Sequence, residues 1–344
     1  MAFDVKLKSL GKTARAEPDQ PLLDAFLRDG VWLPHNCTQG TCGSCKCRVE
    51  SGEFDHGNAP LSTLTEEERA QGLLLGCQAR AKSDMVIEPI TAVEDDVVHH
   101  PLRDVAGRIA VLEDIARDTR RLVIELDDDM TFLAGQYAEI KVPGTSAWRQ
   151  YSMANPPSET RRLEFHLKRT EGGIATDQWL FRRAAVGDRV ELKGPLGNFG
   201  LFRPQDDPAI LIAGGTGLAP MKSIVQHALA EGLIPEIWLY HGGRGAADLY
   251  DGEFFEALAD RHPNFHYRPC LSEDTWDGRC GMVTDCVLED FKSCKGMSAY
   301  LCGPPAMVQA AGKALKRRRM PPRRTFKEEF TTAEHADAPL AKAG

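Results

Sequence analysis

The sequence predicts a multidomain chain: a small α+β domain over residues 1–97, an antiparallel β-barrel over 103–204 and a doubly wound α/β domain over 205–330, with a disordered tail at 331–344. Three observations predict it. The first quarter mixes short strands with long glycine-rich loops and holds five of the ten cysteines. The middle is a series of short alternating strands punctuated by Gly and Pro, the pattern of a small antiparallel barrel. From Pro208 onward, buried apolar runs alternate with segments of helical period. A length of 344 residues also exceeds what one average core organises.

In the first domain, strands are expected at 3–10, 46–50 and 85–88, with one helix at 22–28. An aperiodic acidic stretch over 91–102, ending in His-His-Pro, reads as a linker. Barrel strands are expected at 108–112, 122–126, 137–142, 163–169 and 189–193, with a short helix near 177–183. The last domain should contain parallel strands at 209–213, 236–240, 266–270 and 299–302. Helices are expected at 221–231, 253–260, 284–292 and 306–319.

Charge and composition narrow the function classes. A net charge of −8 argues against non-specific nucleic-acid binding. No apolar run approaches the roughly 20 residues that span a bilayer. The first ten residues alternate like a strand and lack a signal-peptide core, so a cytoplasmic location with no membrane contact is expected. In that compartment cysteines are metal ligands or reduced thiols rather than disulfides. Acidity is uneven: residues 1–97 hold sixteen Asp and Glu against ten Lys and Arg.

Cys37-x4-Cys42-x2-Cys45, with Cys77 far downstream, is the strongest motif. The spacing is that of a plant-type [2Fe–2S] cluster held by four thiolates. A loop that curls around a cluster needs permissive dihedrals, and Gly40 and Gly43 supply them. A structural zinc site would place a compact pair on each side, which this spacing does not. Cys47, two residues further on, reads as a small buried thiol.

Arg149-Gln150-Tyr151-Ser152 is a second signal, followed by Gly172-Gly173-Ile174-Ala175-Thr176. An arginine clamps a pyrophosphate, an aromatic ring lies along a flavin, and a small hydroxyl reaches a ring nitrogen. A glycine turn opening a helix presents N–H groups to phosphate. Taken singly, Arg149 reads equally as a surface charge and Tyr151 as a barrel-core aromatic. Gly214-Gly215-Thr216-Gly217-Leu218-Ala219-Pro220 follows a buried strand and opens a helix, the setting of a pyrophosphate cradle. It is not the G-x-G-x-x-G fingerprint of ordinary dinucleotide-binding domains. Cys302-Gly303-Pro304-Pro305 ends another strand at the same sheet edge. A packed thiol would explain Cys302 as well.

These three motif sets, in this order, resemble the reductase components of bacterial multicomponent oxygenases, in which a plant-type ferredoxin precedes a ferredoxin–NADP⁺ reductase-like flavoprotein. The resemblance covers residues 1 to about 330 and implies a β-grasp ferredoxin domain, a six-stranded FAD-binding barrel and an NAD-binding α/β domain. It implies FAD held by Arg149, Tyr151 and Ser152, with Gly173 and Thr176 at the pyrophosphate. Gly215, Thr216 and Gly217 would lie under the dinucleotide, with Cys302 and Gly303 near the nicotinamide. Phe330, in Phe326-Lys327-Glu328-Glu329-Phe330, matches the aromatic that covers the flavin face, although a tail continues beyond it. Ser152, Cys302 and Phe330 are the residues expected at the reacting atoms.

The implied activity is an NADH:acceptor oxidoreductase passing electrons from NADH through FAD and the cluster to an oxygenase (hydroxylase) component. Hydride carries two electrons and a cluster accepts one, so flavin must stand between them. No general base is needed. Overall similarity points to a soluble di-iron monooxygenase partner. The same domain order also occurs in reductases of Rieske ring-hydroxylating dioxygenases and of deoxysugar synthesis. A redox sensor with a vestigial flavoprotein half is a reading from another class, and the intact motifs at all three sites argue against it.

Overall fold

The computed structural model describes residues 1–92 and 97–331. Part of the expected linker, 93–96, and the expected tail from 332 lie outside the described residues. Two compact units divide the chain, one ending at Arg103 and the other running from Asp104 to Gly194 and from Phe199 onward. A short return, Pro195–Asn198, belongs to the first unit.

In the first unit the expected strand at 3–10 is instead a hairpin, β1 (Phe3–Leu7) and β2 (Lys12–Ala16). Gly11 adopts φ +63 between them and breaks the run. Helix α1 (Leu22–Arg28) falls where it was expected, burying Leu22, Leu23, Phe26 and Leu27. Then come β3 (Lys46–Ser51), β4 (Phe54–Asp55), α2 (Glu66–Ala70), β5 (Leu73–Leu75), β6 (Arg80–Ala81) and β7 (Met85–Pro89). The main sheet has the order β2-β1-β7-β3-β5, with β1 and β7 parallel, and β4 pairs with β6 separately.

The second unit begins with the barrel. Its strands are β8 (Arg103–Ala116), β9 (Thr119–Leu126), β10 (Tyr137–Lys141), β11 (Trp148–Ser152), β12 (Arg162–Lys168) and β13 (Arg189–Leu196), ordered β11-β10-β13-β8-β9-β12. An antiparallel bridge between Met153 and Phe165 brings the two edge strands together and closes the sheet. Alternate residues such as Ile109, Leu122, Ile124, Ile140 and Phe165 fill the interior. The helix expected near 177–183 is a single π-helical turn, Thr176–Leu180.

The rest of the unit is β14 (Ala209–Gly214), α3 (Leu218–Glu231), β15 (Ile237–Gly243), α4 (Gly252–Arg261), β16 (Phe265–Leu271), β17 (Arg279–Cys280), α5 (Val283–Asp290), β18 (Ser298–Gly303), α6 (Pro305–Arg317) and β19 (Thr325–Glu329). Every strand pair is parallel, in the order β17-β16-β15-β14-β18-β19. Both faces are covered, which explains why β14 is buried at all six positions. Ala209, Leu211 and Ala213 face α3 and α4, whereas Ile210 and Ile212 pack with α5 and α6. Strand order reverses between β14 and β18, and their carboxyl ends, Gly214 and Gly303, flank the crevice where such sheets bind ligands.

Candidate functional site

The four spaced cysteines converge. The sulfurs of Cys37 and Cys42 lie 3.1 Å apart, and Cys45 is in hydrogen-bonding contact with Cys77. Two sulfur pairs, one per iron, are what a two-iron cluster requires. Gly40 and Gly43 hold φ +82 and +74, as the curled loop needs. Donors already point at sulfur: the Cys42 N–H and Thr41 hydroxyl reach Cys37 Sγ at 3.4 and 3.5 Å, and Gln78 Nε2 reaches Cys77 Sγ at 3.7 Å. The hydrogen bond from Cys37 lowers the Cys42 thiol to about 4 against the cost of burial. All of this fits a [2Fe–2S] group. Cys47 is fully buried on β3, its thiol donating to the Cys45 carbonyl at 3.7 Å, and burial raises its pKa.

On β11, Arg149 and Tyr151 alternate with Gln150 and Ser152, so the arginine and the ring share one face. Arg149 spends one N–H on the Trp148 carbonyl at 2.9 Å, and Tyr151 packs on the edge of the barrel core. The glycine turn differs from expectation in one respect. The N–H groups of Gly172 and Gly173 are not free: they donate to Asp177 Oδ2 at 3.1 Å and to the Thr170 carbonyl at 2.9 Å. Asp177 is pulled inward because Arg169 and Arg182 also bind it, at 2.9 and 3.0 Å. Contact with a phosphate at this turn therefore falls to residues after Gly173. Thr176 fits that role, since its Oγ1 accepts from Thr170 N–H at 3.1 Å and keeps its own proton to donate.

The third motif set meets the second at the crevice. Gly215 holds φ +55 at the turn into α3, and a Cβ on Gly217 would collide with the Cys302 carbonyl oxygen. A Cβ on Gly303, at φ +141, would lie 2.7 Å from the Gly214 carbonyl oxygen. Only glycine permits this approach of two strand ends. Ser152 lies here, 6% exposed, and its hydroxyl donates to Glu328 Oε2 at 3.4 Å. The fully buried Cys302 thiol faces the same oxygen at 3.8 Å. Glu328 and Cys302 are register partners on β19 and β18. Burial pushes the Glu328 carboxyl up to about 8, with the Ser152 and Cys302 hydrogen bonds opposing. Phe330 extends the pairing, its N–H donating to the Gly303 carbonyl at 2.9 Å, and packs half-buried, like Phe326, against the core on that side of the sheet.

Glu328 is the candidate site residue that motif reading passes over, because a lone glutamate carries no motif. Its signal was period-two alternation: Phe326, Glu328 and Phe330 share one face of a strand that the helical bias of the neighbouring Lys/Arg run obscures.

Three family profiles match: a 2Fe-2S iron-sulfur cluster binding domain over residues 5–82, an oxidoreductase FAD-binding domain over 107–200 and an oxidoreductase NAD-binding domain over 211–313. Among curated proteins, the reductase subunit of an aromatic O-demethylase from Amycolatopsis is 52% identical over 94% of this chain and 97% of its own. The reductase component of a phenol 2-monooxygenase from Pseudomonas is 40% identical over 97% and 96%. The chain belongs to the iron–sulfur flavoprotein reductases of oxygenase systems. A solved cytochrome P450 reductase from Amycolatopsis superposes on the reductase with TM-score 0.91 at 51% identity, covering 96% of this chain and 99% of that one. The reductase thus carries binding domains for [2Fe–2S], FAD and NAD in one chain. No helix among the described residues is long and apolar enough to cross a membrane.

Proposed function

We propose that the reductase oxidises NADH and delivers the electrons one at a time, through FAD and its own cluster, to a separate cytoplasmic oxygenase component. The observation that carries this reading is the three cofactor-domain matches in one chain, with the FAD domain between the other two. They support a cluster domain over 1–97, an FAD domain over 103–204 and an NAD domain over 205–330. Bound flavin supplies the exchange between two-electron and one-electron chemistry.

In this reading Cys37, Cys42, Cys45 and Cys77 hold the cluster, and Arg149, Tyr151, Ser152 and Thr176 hold FAD, with Gly173 shaping the turn that presents Thr176 rather than donating to phosphate itself. Gly215, Thr216, Gly217, Cys302 and Gly303 hold the dinucleotide, and Phe330 covers the flavin face. Arg149 anchors phosphate, so Arg149→Ala should lose a charge-assisted contact of roughly 1.5–3 kcal/mol. Dialysis should then strip much of its flavin, and full retention would refute the assignment. Ser152, Cys302 and Glu328 surround the reacting atoms. The Glu328 carboxyl holds a proton below pH about 8 and releases it above.

That predicts a pH signature. Because its carboxyl ionises only near 8 against an ordinary value of 4.5, the folded state keeps a proton over that interval which the unfolded chain loses. The group's contribution to stability therefore falls as pH rises from 4.5 to 8. Flavin reduction by NADH should change along a limb with apparent pKa near 8. Glu328→Gln, which keeps the hydrogen bonds but cannot ionise, should flatten that limb. Stopped-flow absorbance across pH measures it, and an unchanged profile would remove Glu328 from the site.

Three acceptor chemistries have support, the ring-hydroxylating dioxygenase among them through the naphthalene 1,2-dioxygenase reductases at 35% and 36% identity. The phenol 2-monooxygenase and propane 2-monooxygenase reductases among the relatives support the di-iron hydroxylase expected from the sequence. The O-demethylase relative and the superposable cytochrome P450 reductase favour a haem monooxygenase, and their higher identity puts that reading first. Anaerobic mixing of NADH and reductase with each purified oxygenase decides between them, by which one's metal centre is reduced. A reductase whose flavin and cluster bands are not bleached by NADH would overturn the whole assignment.

A further inference from the structure

Behind the nucleotide loop, the second unit buries a cluster of charged side chains that the assignments above leave unused. Arg121 comes from β9, Glu164 and His166 from β12, Lys222 from α3, and Tyr250 and Asp251 from the turn before α4. His166, Lys222 and Tyr250 are all less than a tenth exposed. Lys222 Nζ lies 2.9 Å from Glu164 Oε1 and 2.7 Å from Asp251 Oδ2. Arg121 Nε lies 3.3 Å from Glu164, and its Nη2 pairs with Asp251. Glu164, His166 and Asp251 have the donor set of a metal site, yet the Lys222 ammonium already bridges the two carboxylates. Charge is compensated there without an ion. Asp251 is held at φ +55, a costly conformation for a residue other than glycine, directly after Tyr250.

The Tyr250 hydroxyl lies 3.1 Å from His166 Nδ1 and 3.2 Å from the Gly215 carbonyl oxygen. We propose that Tyr250 is a positioning residue for hydride transfer, tying the nucleotide loop at Gly215 to barrel strand β12 through His166. This rests on the assignment of Gly215–Gly217 to the dinucleotide.

Hydrogen counting makes the tie conditional. Glu164 stays ionised: burial opposes this, but the His166 hydrogen bond and the Lys222 charge hold its pKa well below the ordinary value. His166 Nε2, 2.9 Å from Glu164 Oε1, must therefore carry a hydrogen. In the neutral ring Nδ1 is then an acceptor and takes the one hydroxyl hydrogen of Tyr250, which leaves Gly215 without it. In the cationic ring Nδ1–H donates to the tyrosine oxygen, and the hydroxyl turns to the Gly215 carbonyl. The loop is gripped when His166 is charged. Glu164 and Asp251 favour the cation, whereas burial and the Lys222 ammonium oppose it, and Arg121 adds a second positive charge to the cluster. His241, edge-on to Tyr250 at 5.5 Å, is kept neutral by burial, its pKa down to about 4. Burial prevails for His166, whose pKa lies below the ordinary histidine value, so the grip tightens on the acid side.

Stopped-flow reduction of flavin by NADH, in the intact holoenzyme over a range of pH, tests this. Tyr250→Phe keeps the ring and loses one hydrogen bond. On the acid side, where the grip forms, it should slow the limiting reduction rate about fivefold and abolish the change in apparent NADH affinity, while the neutral-pH rate, flavin and iron content stay near those of the unaltered enzyme. His166→Gln should keep a near-normal neutral-pH rate and lose only the acid-side change. Wild-type rates and pH profile in a fully flavinated Tyr250→Phe enzyme would overturn the inference. Should Tyr250→Phe fail to fold, an unaltered acid-side change in His166→Gln would overturn it. Failure of the wild-type flavin to bleach with NADH would instead strike at the functional reading beneath it.

Discussion

Cys77→Ser is expected to abolish the visible absorbance of the cluster and to stop electron delivery to any oxygenase, while flavin stays bound and NADH still reduces it. Cys77 follows β5, whose three leucines are all buried, and is itself 5% exposed. It stands beside Cys45, with Gln78 Nε2 donating to its sulfur. Its own thiol is pushed up by the hydrogen bond with Cys45 and by burial, so without iron it would stay protonated. A metal that replaces that proton is what makes the thiolate tolerable there. A serine oxygen offers iron a harder and more basic ligand, so iron and sulfide should fall towards zero. The motif proposed to hold flavin lies on β11 in the other unit and should be untouched. Cys47→Ser is the control: iron content should hold, with stability lower by about 1–3 kcal/mol for a buried hydroxyl. Normal iron in Cys77→Ser would sink the ligand assignment.

A preference for NADH over NADPH of at least tenfold, roughly 1.4 kcal/mol, is the second large effect expected. The loop after β15 offers three backbone donors at the carboxyl edge of the sheet, where a 2′-phosphate would seek positive charge. All three are taken. Arg244 and Gly245 N–H donate to Asp248 Oδ2 at 3.2 and 3.0 Å, and Ala246 N–H donates to Asp274 Oδ2 at 2.8 Å. Burial works against ionising Asp248, but the Gly245 N–H and the Arg117 charge hold its pKa below the ordinary value. A phosphate arriving here meets two fixed carboxylates instead of a vacant nest. Glu273 is exposed beside them and makes no structural bond with its carboxylate in this loop, so Glu273→Arg is the change that should narrow the preference without unfolding the loop. Steady-state kinetics with both nucleotides measure it, and equal specificity constants would refute it.

How much of this was legible depended on the range of the signal. The cysteine loop, α1 and the run into Gly214 were readable because short-range spacing dictates them: a ligand interval, a helical stripe, a continuous apolar strand ending in glycine. Helix α2 went unread although Thr65 and Glu68 form a capping box, each side chain bonded to the other's backbone N–H. Its five residues bury nothing, so no apolar stripe marked it. Strand β19 and Glu328 were hidden for a different reason. Their meaning arises only when Cys302 and Ser152, distant in the chain, close around one carboxylate. Asp177 likewise pulls the 172–173 turn inward through two arginines that no local pattern pairs with it.

The close approach of Gly217 to the Cys302 carbonyl bears on anyone wishing to redesign the coenzyme choice. Gly217 and Gly303 have no room for a side chain, so a library that randomises those two positions would sample mostly broken sheets. Around the 244–246 turn Asp248 and Asp274 are committed to the backbone N–H groups, and the exposed Glu273 is the position where diversity is tolerable. On the proposed assignment evolvability in this molecule is lopsided: the phosphate end of the coenzyme meets main chain that cannot vary, whereas the adenosine end meets an exchangeable side chain and is free to drift.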